Sequence, residues 1–403
     1  MTSKHLLKFT KAAAFSAIAA FMFSSCTKSS NTAKTGNVLP AEAITGTTLN
    51  KGNVKGVLLA DSTYTMNGDL TVLPTDTLTV QPGATIKVTG NYTFYIQGVI
   101  QCIGTQANPI TFTSTVAQAP GQWGGFQADS AKAITFKWTK IFWTGGLDAT
   151  GSTRQTIGTS APIVVDVEDC WLIGGQDNAI GVYSTATVKI LRNTLMDNGL
   201  NDGDAIDFHS GVKGDVAYNV VWGGAGSAIK VFTSATIANP QTSVNVYNNT
   251  CVDNGFRRGA GEPGRGVLVD AFSKANVYNN LLINNYWSLD VTTTADVANT
   301  KYGNNYFYAT VDSLRANFYP AGDAGVPQSS DVIDLVHTGA NDPMFVAYAT
   351  PPNPTFRVPT NPSDVTFGYD FHLKPGSPAI GKGNPVYNND IGAYTSDGQG
   401  NKH

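Results

Sequence analysis

Val167-Glu-Asp-Cys170, Ile190-Leu-Arg-Asn193, Val216-Ala-Tyr-Asn219, Val246-Tyr-Asn-Asn249, Val277-Tyr-Asn-Asn280 and Tyr302-Gly-Asn-Asn305 share one frame: an apolar residue, two spacers, then Asn, with Cys in its place in the first. The steps between them are 23, 26, 30, 31 and 25 residues. A second frame, small–apolar–any–apolar, recurs as Ala179-Ile-Gly-Val182, Ala205-Ile-Asp-Phe208, Ala228-Ile-Lys-Val231, Gly266-Val-Leu-Val269 and Ser288-Leu-Asp-Val291. In three of five cases the second frame leads the next Asn by 14 residues. Two motifs that keep one phase mark a structural repeat.

Alternating apolar residues specify short strands with one face buried. A unit of this length cannot close a core alone, but stacked coils bury a continuous one, pairing as parallel strands about 4.8 Å apart. The expected fold is therefore all-β, a right-handed parallel β-helix with capped ends. Ile180, Ile206, Ile229, Val267 and Leu289 should form one inward stack, and Val182, Phe208, Val231, Val269 and Val291 a second. Each buried member contributes about 1.5–3 kcal/mol before entropy is charged. The repeated Asn is expected at a bend, in left-handed backbone geometry, with its amide bonded to the Asn one coil away. A row of glycan ligands is the alternative reading.

A propeller needs units of about 40–45 residues, and helical solenoids lack period-2 alternation. Composition agrees: charged residues are 14%, against a usual ~25%, and the 42 glycines suit tight turns. The net charge is −3, or −6 once Lys4, Lys8 and Lys11 leave with a signal peptide. The only basic cluster, Arg257, Arg258 and Arg265, is interrupted by Glu262, so nucleic acid is not implied.

Those three lysines precede an apolar run from Ala12 to Phe23, too short for a ~30 Å bilayer span but suited to a signal segment. Phe23-Ser-Ser-Cys26 follows and resembles a lipobox, which implies cleavage before Cys26 and acylation of its thiol. Phe23 stands where Leu is usual. The expected organisation is a signal peptide over 1–25, a polar tether over 26–48, cap and opening coils over 49–160, central coils over 161–310, C-terminal coils and cap over 311–395, and a tail over 396–403. A lipid-anchored envelope protein follows, facing either the periplasm or the surface. Cys102, Cys170 and Cys251 match neither a zinc site nor a disulfide framework and read as buried thiols.

The repeat resembles the right-handed β-helix proteins of the pectin-lyase-like superfamily. Thr77-Leu-Thr-Val-Gln-Pro-Gly-Ala-Thr-Ile-Lys87, Gln97-Gly-Val-Ile-Gln-Cys-Ile-Gly-Thr105, Asn108-Pro-Ile-Thr-Phe-Thr113 and Trp123-Gly-Gly125 look like opening coils of secreted bacterial members. Phe371-His-Leu-Lys-Pro-Gly-Ser-Pro-Ala-Ile-Gly-Lys-Gly383 with Asp390-Ile-Gly-Ala-Tyr394 resembles the closing segment called choice-of-anchor Q, although Gly381 stands where Asp is frequent. The superfamily holds lyases, hydrolases, epimerases and adhesins, so the resemblance implies architecture and secretion more than activity. Residues 46–70 are expected to form the N-terminal cap. Residues 316–342 read as an irregular excursion with a short helix over 330–336, and the Pro-rich stretch 350–362 with its sequel as a wrap over the C-terminal end.

Strand alternation also places the outward side chains. One column is Gly181, Asp207, Lys230, Leu268 and Asp290; its neighbour is Tyr183, His209, Phe232, Asp270 and Thr292. The gap from the repeated Asn to the next second frame is 17 residues from Asn249 to Gly266, against 8 to 12 in the other coils, and this insertion carries Arg257, Arg258, Glu262 and Arg265 over the same region. A uronate lyase would use Lys230 or His209 as base beside Asp207, with arginines on the sugar carboxylate. Asp202, Asp204 and Asp207 are candidate ligands for Ca²⁺, the one cofactor the residues suggest. A glycoside hydrolase would need two carboxylates, with Asp207 and Asp270 as candidates. Asp270, Arg257, Arg258, Glu262, Arg265, Phe232 and Tyr183 would contact substrate. The bland reading makes Asp207–Lys230 an ordinary cross-strand ion pair. Two function classes follow: a non-catalytic glycan-binding, adhesive or structural envelope protein, which the lack of a sharp catalytic motif favours, and a polysaccharide-processing enzyme. The partner in either case is a polysaccharide or cell-surface glycan.

Overall fold

The computed structural model describes residues 42–234, 240–259, 261–348 and 367–403. Among them, three parallel sheets hold eleven, eleven and ten strands. Sheet A runs from Ala43–Ile44 to Lys301–Gly303, sheet B from Thr48–Leu49 to Tyr306–Tyr308, and sheet C from Gly52–Asn53 to Trp287–Val291. Each coil supplies one strand to each sheet, except the last, which adds strands to sheets A and B alone among the described residues, so the chain winds a solenoid around a single core.

The sequence repeats lie in register. In sheet C, Ile180 pairs with Ile206, Ile206 with Ile229, Ile229 with Val267, and Val267 with Leu289. Val182, Phe208, Val231, Val269 and Val291 stack two residues along. All ten side chains are fully buried. Nearer the other end, the core is aromatic: Phe94 stacks on Phe126 at 5.0 Å, and Phe112 on Trp123 at 6.3 Å. Cys102, Cys170 and Cys251 are free and buried.

The repeated Asn ends the sheet A strands and forms a ladder. Asn193 Nδ2 donates to Asn219 Oδ1 at 3.0 Å, Asn219 to Asn249 at 2.9 Å, Asn249 to Asn280 at 3.0 Å, and Asn280 to Asn305 at 3.1 Å. Each amide oxygen also accepts a backbone N–H from the coil before, beginning with Cys170 N–H to Asn193 Oδ1 at 2.9 Å. These amides are fully buried and saturated, which removes the glycan-ligand reading. The left-handed geometry falls one residue earlier than expected, at Arg192, Tyr218, Asn248, Asn279 and Asn304, with φ between 50° and 58°. That turn swings the following Asn inward. For Arg192 and Tyr218 it costs roughly 1–2 kcal/mol, which the ladder offsets.

A second ladder sits five residues on, between sheets B and C. Gly224 N–H donates to Asn254 Oδ1 at 2.9 Å, and Asn254 Nδ2 to Asn285 Oδ1 at 2.9 Å. The spacing from 249 to 254 and from 280 to 285 was visible in the sequence.

Three boundary expectations need correction. Residues 43–72 are strands of the first two coils and not a separate cap, because Tyr64, Met66, Leu70 and Val72 already alternate into the core; strand therefore begins inside the stretch expected as tether. The short helix is Asp312–Arg315, while residues 330–336 are irregular. There the Asp331 side chain accepts from Asn305 N–H at 3.0 Å and ends the Asn ladder, and Val332 bridges to Tyr306. Cys26 and residues 349–366 lie outside the described residues.

Residues 367–403 do not wrap the solenoid end but run along its side. Sheet B is apolar on both faces: Leu172, Leu195, Val221 and Leu282 point inward, while Ile173, Met196, Trp222 and Ile283 point outward. The outward set packs under Phe371, Ala379, Ile391 and Ala393. Polar pins fix this strap. Asn248 Nδ2 donates to Asp390 O at 2.8 Å, Gly392 N–H to Asn279 O at 2.8 Å, and Ala393 N–H to Thr250 Oγ1 at 2.9 Å. The residues expected as a loose tail are docked too: His403 stacks on Trp171 at 3.8 Å and bonds to Thr194.

Candidate functional site

The outward face of sheet C carries the predicted columns. Gly181, Asp207, Lys230, Leu268 and Asp290 lie on successive coils, and Phe232 pairs with Asp270. At its centre, Lys230 Nζ sits 3.4 Å from Asp204 and 3.6 Å from Asp207. His209 Nε2 lies 3.1 Å from Asp207. Tyr183 OH donates to Asp207 Oδ2 at 3.3 Å, and Asn178 Nδ2 to the same oxygen at 3.2 Å. Arg258 joins from the long loop, with Nη1 3.2 Å from Asp204 and Nε 2.7 Å from Asp202. Glu262 contacts its other nitrogen at 3.2 Å.

Asp204 also has a structural duty. It lies one residue upstream of the second sequence motif, as do Asn178, Ser227 and Arg265. Asp204 N–H donates to Asn178 Oδ1 at 2.5 Å, Ser227 N–H to Asp204 Oδ1 at 2.6 Å, and Arg265 N–H to Ser227 Oγ at 3.3 Å. This third side-chain ladder, with Asn178 as a member, was not predicted, although the polar column could be seen in the alignment of repeats.

The electrostatics follow from burial and pairing. Burial works against the Lys230 ammonium, but the Asp207 and Asp204 charges outweigh it and raise its pKa above the usual lysine value. Burial would raise Asp207, yet His209 and Lys230 hold it below the usual carboxylate range. Asp204 goes the other way: burial and the Asp207 charge outweigh Lys230 and Arg258. Burial and the same Asp207 charge push Tyr183 up. The two carboxylates thus favour the ammonium form of Lys230, whereas a general base would need the neutral amine.

The predicted calcium ligands do not form a set. Asp202, Asp204 and Asp207 each turn toward a cation of the protein, and no cluster of carboxylates, His or Cys suited to a metal occurs among the described residues. Asp270 is not brought opposite Asp207. It lies two coils away, with its carboxylate taken by Thr292 and Thr294 hydroxyls at 2.6 Å and by Ala271 N–H at 2.7 Å. The paired-carboxylate arrangement of a glycoside hydrolase is absent there. Arg257 points away from the face: it donates to Gly223 O and Gly199 O at 2.6 Å and staples turns between sheets B and C. Arg265 pairs with Asp290 at 2.9 Å, over the Trp287 ring.

Three rings remain half-exposed on the face and follow one another along the solenoid axis. Tyr183 and His209 lie 4.7 Å apart, and His209 and Phe232 4.9 Å apart. The arrangement offers an aromatic strip, two of whose rings also bond to the Asp207 carboxylate of the charge cluster.

Three long parallel sheets wound one strand per coil define a right-handed parallel β-helix protein. Residues 50–135 match the family described as a pectate-lyase like beta helix domain, which bears out the resemblance read from the opening coils. Among solved structures, the crystal structure of pectate lyase Pel9A is similar at 13% identity, covering 78% of this chain and 88% of that one, with a TM-score of 0.33. No curated protein matches.

Proposed function

We propose that this is a lipid-anchored envelope protein that binds a polysaccharide along the outer face of sheet C without turning it over. The carrying observation is the row Tyr183, His209 and Phe232, repeated at coil spacing and partly exposed on the face that carries the charge cluster. Sugar rings present apolar C–H faces to aromatic rings, and a row along the axis suits an extended chain. The family match over residues 50–135 supports a polysaccharide-related role. The acids Asp202, Asp204, Asp207 and Glu262 outnumber Lys230 and Arg258, so the face favours a neutral glycan over a polyuronate. Attachment through Cys26 rests on its lipobox-like sequence.

Two measurements on the mature protein test this. On a glycan array, retention should fall at least tenfold in Phe232→Ala and His209→Ala. Incubation with uronate polymers and neutral glycans should release neither unsaturated ends nor new reducing ends. Release of either that disappears in Lys230→Ala would replace binding with lyase or hydrolase activity.

A further inference from the structure

A cavity of about 300 Å³ lies on another face of the solenoid, between sheet B and the strap. Its floor is the outward side of two adjacent strands, at Trp171, Thr194 and Met196. The strand Asp370–Leu373 and the preceding Tyr369 make one wall, and Tyr394 with His403 the other. These walls are held in place. His403 stacks on Trp171 with 17° between the planes, Tyr394 packs on His372 at 3.8 Å, and Lys140 Nζ covers the Trp171 ring at 5.1 Å. The rim is polar and open to water: Asp370 and His372 lie 2.6 Å apart, with side chains 43% and 48% exposed.

Packing alone does not call for this space, since the rest of the strap interface closes over sheet B with buried aliphatic and aromatic groups. A concave aromatic lining with a few convergent polar groups is the ordinary form of a small-ligand site, and about 300 Å³ is the lower end of such volumes. The charges narrow the ligand. A carboxylate would meet Asp370 at the rim, and an ammonium would lose its hydration against the mostly aromatic walls. A neutral ring with one apolar face and a hydrogen-bonding edge avoids both penalties.

We infer that the cavity between sheet B and the strap is a subsite for a neutral pyranose ring, either a branch or an end of a glycan. The inference shares with the sheet C reading the premise that the ligand is a glycan, but it uses none of the same residues.

Met196 supplies a direct reporter. The full chain labelled with ¹³C at methionine methyls can be titrated with gluco-, xylo-, manno- and galacto-configured neutral oligosaccharides and with a galacturonate oligomer. The Met196 methyl should shift saturably with at least one neutral series and stay fixed with the galacturonate. The Met66 methyl, buried in the core, should not move and reports that each variant remains folded. Asp370→Ala and His372→Ala, both at exposed positions, should weaken the Met196 response at least tenfold; Phe232→Ala should leave it intact. A Met196 signal that no neutral sugar moves overturns the inference, as does a shift that survives both rim variants or vanishes in Phe232→Ala. If array binding is lost in Phe232→Ala while Met196 never responds, the sheet C reading stands and this one falls.

Discussion

The Lys230 ammonium lies 3.4 Å from the Asp204 carboxylate of the neighbouring coil, and Asp207 holds it from a second side at 3.6 Å. A lysine so placed ties two neighbouring coils together. Lys230→Met should leave two buried carboxylates facing each other and cost about 3–5 kcal/mol at pH 7. The loss should be smaller at an acid pH than at pH 7, because Asp204, raised by burial, takes up a proton more readily than an ordinary carboxylate. Urea unfolding at the two pH values measures this, and an equal loss at both would contradict it.

The Asn249 amide makes bonds in both directions along its ladder and to Val216 O. Asn249→Ala should leave Asn219 N–H and Val216 O buried and unmet, costing at least about 2 kcal/mol. Hydrogen exchange should show the loss concentrated on the two adjoining coils.

Burial raises the Asp290 pKa to about 6, with Arg265 opposing and Asp323 assisting the rise. The unfolded carboxyl titrates near 3.8. Between these values the folded chain binds more protons than the unfolded one, so stability is fully present below the lower value and is lost as pH rises through 6. Asp290→Asn should remove up to about 3 kcal/mol of this dependence between pH 4 and 6. Thermal melts across that window would show a flatter profile in the variant.

His403 behaves with the opposite sign. Burial depresses its pKa to about 3, below the ordinary 6.5. Its contribution is present above 6.5 and is lost as pH falls toward 3. The docked residues 396–403 should therefore open first under acid, read as faster exchange of Asn401 N–H, which donates to Ala393 O at 2.7 Å.

Arg257 and Arg258 are neighbours with different fates. Arg257→Ala should destabilise the chain by about 3–5 kcal/mol, through its lost carbonyl bonds and its lost pairing with the buried Asp197 carboxylate, and leave glycan retention unchanged. Differential scanning calorimetry and the array, run on the same preparation, separate the two effects.

The register of sheet C was legible because its apolar period and its phase with Asn were both regular, from Ile180 to Leu289. The outward columns came with it, since alternation leaves no freedom once the inner stack is known. Left-handed turns at Arg192 and Tyr218 were not legible, because neither residue type favours that geometry and only the ladder imposes it. Sheet B did carry a signal: Trp171-Leu-Ile173, Val220-Val-Trp222 and Leu281-Leu-Ile283 are apolar at every position, as strands covered on both faces must be. What covers them was unreadable, since Gly392 N–H reaches Asn279 O across more than a hundred residues. Arg257 and Arg258 differ only in the direction the loop backbone gives them, which no residue pattern encodes.

The strap has a bearing on how the protein is made. Coils can wind one after another as the chain is delivered, each templated by its predecessor. Yet Asn193 waits for Asn401, and Asn248 for Asp390 and Gly392. Until those late residues arrive, the flank bearing Trp222 and Ile283 is an adhesive surface exposed to every neighbouring chain. A chain interrupted before residue 390 would lack these contacts and leave that flank uncovered.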